Sequence, residues 1–151
     1  MKNQTAIFPG SFDPFTKGHE DIVVRSLKLF QKVIIAVGNN QAKNRYFDAE
    51  FMHQKIKDTF MDFPDVEVIT YNELTAGLAK KLNAGFLIRG LRNTTDFEFE
   101  NGISQVNRYL NEGLETIFLI TSPEYAAISS SIIRDVHRYK GDVSKFLPYE
   151  L

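Results

Sequence analysis

A histidine, a pair of arginines and a run of serines carry most of the chemistry this chain can offer. His19 ends the run Phe8-Pro9-Gly10-Ser11-Phe12-Asp13-Pro14-Phe15-Thr16-Lys17-Gly18-His19. Arg89 and Arg92 bracket Gly90 and Leu91, and Ser129-Ser130-Ser131 opens the last long helical pattern. All of these can hold phosphate. A guanidinium presents a fork that matches phosphate oxygens. A helix start offers unpaired N–H groups and the positive end of a dipole. An imidazole in the first turn can donate to an anion held there. Each also has a plainer use. Arg92 serves equally well as a salt-bridge partner of Asp96, Glu98 or Glu100. N-capping accounts for one serine of the three. Lys43 and Arg45 lie in a polar loop where charged residues are usually only solvated, Lys43 having the better case because a flexible ammonium can follow a moving phosphate. Glu100 could accept from a ribose or a base, or simply line a wet helix face. Asp13 before Pro14 is ordinary turn chemistry, and His53 and His137 read as packing or surface histidines.

The missing groups narrow the chemistry. The first loop has neither the Gly-Lys-Ser/Thr of a P-loop nor the Gly-x-Gly-x-x-Gly of a dinucleotide site. No Gly-x-Ser-x-Gly elbow occurs. There is no cysteine, which excludes disulfides, thiol catalysis and thiolate metal sites and fits a reducing compartment. No metal-ligand spacing of histidines or acidic cluster is evident. Phosphate binders without a nucleophile or a general base suit direct phosphoryl or nucleotidyl transfer, in which the substrates supply the nucleophile and the protein supplies position and charge.

These residues must be positioned by the elements around them. Five short apolar runs, Ala6–Phe8, Val33–Val37, Val66–Ile69, Phe86–Ile88 and Ile117–Ile120, predict strands buried on both faces, hence a parallel sheet. Helical patterns lie between them. One runs from His19 through Ile22, Val23, Leu27 and Phe30. Asp48 caps a second, with Met52, Ile56 and Phe60 on one face; Leu74, Leu78 and Leu82 mark a third, with Thr75 near its start. Thr95 and Glu98 form a capping box before Phe99, Ile103, Val106 and Leu110, and the serines precede Ile132, Ile133 and Val136. Alternation of strand and helix predicts an α/β fold, one doubly wound five-stranded parallel sheet over a single domain, residues 1–151. Ligands then bind beyond the carboxyl ends of the strands, where the strand order switches. Four segments follow strand ends and should converge there: Gly10–His19, Asn39–Arg45, Arg89–Arg92 and Ser122–Ser131. A net charge of −1 advertises no polyanion surface, so nucleic acid is not expected as a partner. No apolar run approaches the ~20 residues of a membrane span. With no leader pattern at the N-terminus, a cytoplasmic protein is expected.

Thr16-Lys17-Gly18-His19 and Ile128-Ser129-Ser130-Ser131 resemble the paired motifs of the nucleotidyltransferase superfamily, which has a Rossmann-like fold. The match narrows with Pro9-Gly10-Ser11-Phe12-Asp13-Pro14, Ile88-Arg89-Gly90-Leu91-Arg92, Asp96-Phe97-Glu98-Phe99-Glu100 and Gly141-Asp142-Val143-Ser144-Lys145-Phe146-Leu147-Pro148. Together, and in this order, they resemble the bacterial phosphopantetheine adenylyltransferases along essentially the whole chain. The resemblance implies transfer of AMP from ATP to 4′-phosphopantetheine, giving dephospho-coenzyme A and pyrophosphate, with Mg²⁺ required. It implies that His19 stabilises the transition state at the α-phosphorus. Ser11, Phe12, His19, Gly90, Leu91, Arg92 and Glu100, with Tyr125, Ala126, Ala127, Ile128, Ser129, Ser130 and Ser131, would hold ATP. Ser11, Lys43, Thr75 and Arg89 would hold phosphopantetheine. The resemblance also implies a homohexamer, a dimer of trimers, and leaves room for feedback binding of coenzyme A.

The chain departs from the family's pattern in three respects. Thr75 stands where some relatives carry Met, so its contact could run through backbone. Phe51 and Met52 follow Glu50 where many relatives have Glu and Arg. The chain ends at Leu151, soon after Phe146-Leu147-Pro148, a difference that bears on feedback binding and assembly contacts. Two competing readings keep the fold: an enzyme with another acceptor, such as nicotinate mononucleotide or an alcohol phosphate used with CTP, and a nucleotide-binding regulator without activity.

Overall fold

The computed structural model describes residues 4–40, 42 and 44–151. Five strands, β1 (Thr5–Gly10), β2 (Lys32–Gly38), β3 (Val66–Tyr71), β4 (Phe86–Leu91) and β5 (Glu115–Ile120), alternate with helices. The helices are α1 (Lys17–Ser26), α2 (Ala49–Thr59), α3 (Thr75–Lys81), α4 (Thr94–Leu110) and α5 (Ser130–Arg138). Short 3₁₀ turns occur at Pro123–Tyr125 and Ser144–Phe146. The sheet is parallel in the order β3-β2-β1-β4-β5. The chain builds outward from β1 to β3, then crosses back to place β4 on the other side of β1.

Side chains alternate across this sheet, and both faces are covered. Ala6, Phe8, Val33, Ile35 and Val37 point to the face packed by Ile22 and Val23 of α1 and Met52 and Ile56 of α2. Ile7, Ile34, Ala36 and Leu87 meet Ala76, Leu78 and Ala79 of α3. A third cluster joins Ile133 of α5 to Val143 and Leu147. Burial on both faces is why these strands read as continuous apolar runs.

The strands outrun their apolar cores, because ladder pairing does not stop at a polar side chain. Arg89, expected just after the fourth strand, lies within β4, opposite Phe118. The β1–β4 ladder is short, with Ala6 opposite Phe86 and Ile7 opposite Leu87. Past Ile7 the two strands part at the switch in strand order, and that opening holds the candidate site.

Two helices differ from expectation, α1 in where it ends and α4 in its cap and its outward face. The first helix begins at Lys17 and ends at Ser26, so Leu27 and Phe30 pack from the turn that follows. Asp48 caps α2 as expected. For α4 the cap is Asn93, whose side chain accepts from the Asp96 amide at 2.9 Å, rather than the Thr95–Glu98 box. Asn caps as well as Thr, and the pairing of Arg92 with Asp96 fixes the turn around it. The apolar stripe of α4 faces outward: Phe99 is 68% exposed, Val106 57% and Leu110 48%, while Glu100 is buried. Among the described residues no helix is long and apolar enough to cross a membrane.

Candidate active site

The β1–α1 loop turns sharply after Gly10. Phe12 adopts a left-handed φ of 47°, a conformation that strains a bulky residue by ~1 kcal/mol or more. Aromatic packing offsets it: the Phe12 ring lies 5.1 Å from Phe8, 5.2 Å from Phe15 and 5.0 Å from His19. The ring folds back over Gly10 so closely that a Cβ there would sit 2.9–3.2 Å from three of its atoms.

Thr16 caps α1 and sets the histidine. Its hydroxyl accepts from the His19 amide at 3.3 Å, and its own amide donates to His19 Nδ1 at 3.0 Å. This is a capping box with histidine in the place usually held by Glu or Gln. A backbone N–H can donate only to an unprotonated nitrogen, so the ring proton sits on Nε2. Burial, then the charges of Arg89 and Arg92, push the His19 pKa down to about 3. His19 is therefore a neutral donor through Nε2–H.

Among the described residues, two cavities open at the carboxyl edge of the sheet. The larger, about 660 Å³, lies between the ends of β1, β2 and β3 and the helices α3 and α4. The smaller, about 270 Å³, lies between the β1–α1 loop, the end of β4 and the start of α5. Gly10, Ser11, Arg89 and Glu100 belong to the walls of both. Arg89 reaches across the opening between β1 and β4. Its Nη1 donates to the Pro9 carbonyl, while Nε and Nη2 donate to Glu100 Oε2 and Oε1 at 2.9 and 2.5 Å. Arg92 is held likewise by Asp96, at 3.0 and 3.2 Å. Burial raises the Asp96 pKa, but hydrogen bonds from the Arg92 side chain and amide outweigh it and hold the carboxyl below its usual range. The carboxylate pairing weighed as the alternative to phosphate binding is therefore present for both arginines, and each guanidinium also faces a cavity.

The smaller cavity gathers Ser11, Phe12, His19, Gly90, Arg92, Glu100, Tyr125, Ile128, Ser129, Ser130 and Ser131; Leu91, Ala126 and Ala127 stand outside its wall. Gly90 lies where β4 meets α1, and a Cβ there would crowd the Ile22 side chain at 3.2–3.3 Å. Ser129 caps α5 through the Ile132 amide at 3.2 Å, and Ser130 donates to the Pro14 carbonyl at 2.8 Å. The larger cavity contains Ser11, Arg89 and Thr75, whose hydroxyl pairs with Tyr71 at 3.0 Å. Lys43 lies outside the described residues. His53 and His137 bond the Val68 carbonyl and Tyr46 hydroxyl and line neither cavity.

Asp13 and Arg45, read from sequence as turn chemistry and a solvated charge, both brace the loop. Asp13 accepts from the Tyr46 and Phe47 amides at 2.8 Å each. Arg45 donates to the carbonyls of Ser11, Gly38 and Phe47 at 2.7, 2.9 and 2.9 Å. The one signal available was indirect: a loop as apolar as Phe12-Asp13-Pro14-Phe15 must be buried, and its backbone then needs partners.

The chain matches the family model described as cytidylyltransferase-like over residues 7–136. It is 64% identical over 149 residues to a protein of Cytophaga hutchinsonii named phosphopantetheine adenylyltransferase, covering 99% of each. A protein of the same name from Flavobacterium psychrophilum is 54% identical, over 95% of this chain and 94% of that one. Among solved structures, a bifunctional NMN adenylyltransferase/ADP ribose pyrophosphatase from Francisella tularensis, complexed with AMP and a Mn ion, matches with a TM-score of 0.69 at 17% identity. That match covers 99% of this chain but 46% of the other, and at such identity it speaks for the fold alone.

Proposed function

The chain belongs to the phosphopantetheine adenylyltransferases of the cytidylyltransferase-like family, and from that premise we propose how its two cavities divide the reaction. The enzyme transfers AMP from ATP to 4′-phosphopantetheine in coenzyme A synthesis, releasing pyrophosphate. ATP occupies the smaller cavity and 4′-phosphopantetheine the larger. One observation carries this division: Gly10, Ser11, Arg89 and Glu100 are common to both walls. A phosphate on the larger side and an α-phosphate on the smaller side would meet there.

The acceptor needs no base. A phosphate monoester has its second pKa at about 6, so at neutral pH its oxygen is already the nucleophile. It attacks the α-phosphorus in line, and pyrophosphate leaves toward the start of α5. His19 donates Nε2–H to the equatorial oxygen on which charge accumulates. As a neutral donor it favours the transition state without a full charge that would hold ATP equally well beforehand. Arg89 and Lys43 bind the acceptor phosphate, with Thr75 beside its arm. Ser11, Phe12, Gly90, Leu91, Arg92 and Glu100 serve the nucleoside side. The segment Tyr125, Ala126, Ala127, Ile128, Ser129, Ser130 and Ser131 serves the triphosphate, with backbone amides at the start of α5 doing most of the binding because the Ser129 and Ser130 hydroxyls are engaged.

Mg²⁺ fits as a companion of the triphosphate. Among the described residues no group of three or more metal-ligating side chains exists, and the two carboxylates at the smaller cavity hold arginines. This suits an ion held by phosphates and water, which Mg²⁺ prefers; bound so, it would neutralise the departing pyrophosphate.

Further features of the family are carried as part of the same reading. We read residues 1–151 as one cytoplasmic domain, with one continuous sheet as its support. A homohexamer, a dimer of trimers, would cover the exposed apolar face of α4. Coenzyme A, which combines a pantetheine arm with an adenine nucleotide, would compete by spanning both cavities. The deciding experiment is pyrophosphate release by the purified protein with ATP, Mg²⁺ and 4′-phosphopantetheine, compared with nicotinate mononucleotide. Release with the former alone is expected; release with neither would overturn the reading.

A further inference from the structure

The residues between β1 and α1, Ser11–Thr16, have no regular secondary structure, and the carbonyls of the first five lie ahead of the helix ladder, yet Phe12, Asp13, Pro14 and Phe15 are buried. A buried irregular segment needs a donor for every carbonyl. Each of the five has one, and each donor is a side chain from a distant part of the chain. Arg45 donates to Ser11 O at 2.7 Å and Phe12 O at 3.3 Å. Arg134 donates to Asp13 O at 2.7 Å, Ser130 to Pro14 O at 2.8 Å, and Tyr149 to Phe15 O at 2.6 Å.

Arg134 does something the other guanidinium does not. While Nη1 holds the loop at Asp13, Nη2 reaches the Ser131 hydroxyl at 3.4 Å. Carried on α5 itself, it therefore acts beside Ser130 in tying the loop that leads into His19 to the helix start on the opposite side of the smaller cavity. Arg134 itself lines neither cavity. From this we infer that Arg134 is a positioning residue for adenylyl transfer, setting the separation between His19 and the amino-terminal turn of α5. The inference rests on the reading of that cavity as the ATP site. The physical argument is alignment. His19 and the serine turn would grip different parts of one triphosphate, and a ligand held at both ends reacts well only when the two grips are in register. Loosening the tie leaves each grip able to bind, so the loss falls on the chemical step.

The test measures kcat and KM for both substrates, by pyrophosphate release, in wild type, Arg134→Met, Arg134→Lys and Tyr149→Phe. Arg134→Met keeps the stem and removes both hydrogen bonds; it is expected to lower kcat by about 10- to 100-fold, with each KM within about threefold. Arg134→Lys can still donate to Asp13 O and should recover part of the loss. Tyr149→Phe removes a donor from the same loop and no hydrogen bond to α5, and should keep kcat near wild type while lowering the melting temperature. A rise in KM for ATP with unchanged kcat would mean that Arg134 binds phosphate directly, and would overturn the inference. So would a fall in melting temperature alone. If Arg134→Met does not fold, Arg134→Lys decides: a lowered kcat with steady KM supports positioning, and wild-type kinetics refute it. An inactive wild type would instead strike at the assignment of the site.

Discussion

Glu100 holds Arg89 through both of its oxygens, at 2.9 Å from Nε and 2.5 Å from Nη2, and is itself only 7% exposed. Arg89 spends its remaining nitrogen on the Pro9 carbonyl, across the opening where β1 and β4 separate. The pair closes a gap in the sheet and at the same time forms the shared wall of the two cavities. It therefore has a structural role and a binding role, which a single substitution cannot separate.

A double-mutant cycle separates them. Arg89→Met leaves a buried carboxylate without its partner, and should destabilise the fold by about 1–3 kcal/mol while raising KM for phosphopantetheine. Adding Glu100→Gln removes the unpaired charge. The double variant should regain much of the stability in urea unfolding but none of the acceptor binding. Recovery of both, or of neither, would contradict the two roles.

Histidine in the capping box gives a clean variant of the reacting group. Gln fits the same position in such boxes, so His19→Gln should preserve the start of α1 and exchange the imidazole Nε2–H donor for a side-chain amide that the ring no longer aims at the phosphate. Turnover should fall by about 10²–10³-fold, with KM for ATP little changed. Steady-state kinetics with ATP as the varied substrate would check this, and an equal effect on kcat and on ATP binding would argue against a role confined to the transition state.

The same residue makes stability depend on pH. Unfolded, it takes up a proton near 6.5; folded, only near 3. Between those values the unfolded chain binds more protons, so this contribution is complete above 6.5 and is lost as pH falls toward 3. The slope is at most ~1.4 kcal/mol per pH unit. Urea midpoints at pH 7 and pH 5 should therefore drop further for wild type than for His19→Gln.

Much of this was legible in the chain. Runs such as Val33–Val37 announce strands buried on two faces, and Gly10, Arg89 and Ser129–Ser131 follow or end such runs, so their gathering at one edge follows from topology. What sequence did not convey was contact across long separations. Arg45 reads as a wet loop charge because its acceptors at Ser11 and Phe12 lie more than 30 residues away. Arg134 and Tyr149 sit in unremarkable helix and tail sequence, and their acceptors are carbonyls, which have no signature. The cap of α4 is not legible either, because Asn93 and Thr95 are both good caps and only tertiary context chooses between them.

Asp13 should matter to folding more than a turn residue does. Its carboxylate takes two backbone amides, those of Tyr46 and Phe47, at 2.8 Å, and Asp13→Ala would leave both partly buried without an acceptor. A loss of about 3 kcal/mol is expected, with Asp13→Asn losing less because one oxygen remains. Chemical denaturation gives the comparison directly; equal stability in all three proteins would show that the clip is dispensable.

The outward face of α4 leads to a prediction about assembly. Phe99, Val106 and Tyr109 are 68%, 57% and 88% exposed, on a helix whose buried contribution is the single carboxylate Glu100. Apolar side chains lined up along an exposed helix favour a protein partner over water, and the proposed hexamer supplies one. Val106 lines neither cavity, so Val106→Glu places a charge in the contact while sparing the site's own residues. Sedimentation velocity should show a hexamer for wild type and smaller species for the variant. Phe99, Ile103 and Asn107 of the same helix do line the larger cavity, so disassembly should also raise KM for phosphopantetheine while leaving KM for ATP nearly unchanged. A wild type that sediments as a monomer at every concentration, or a variant that stays hexameric, would mean that this face is covered by something other than copies of the chain.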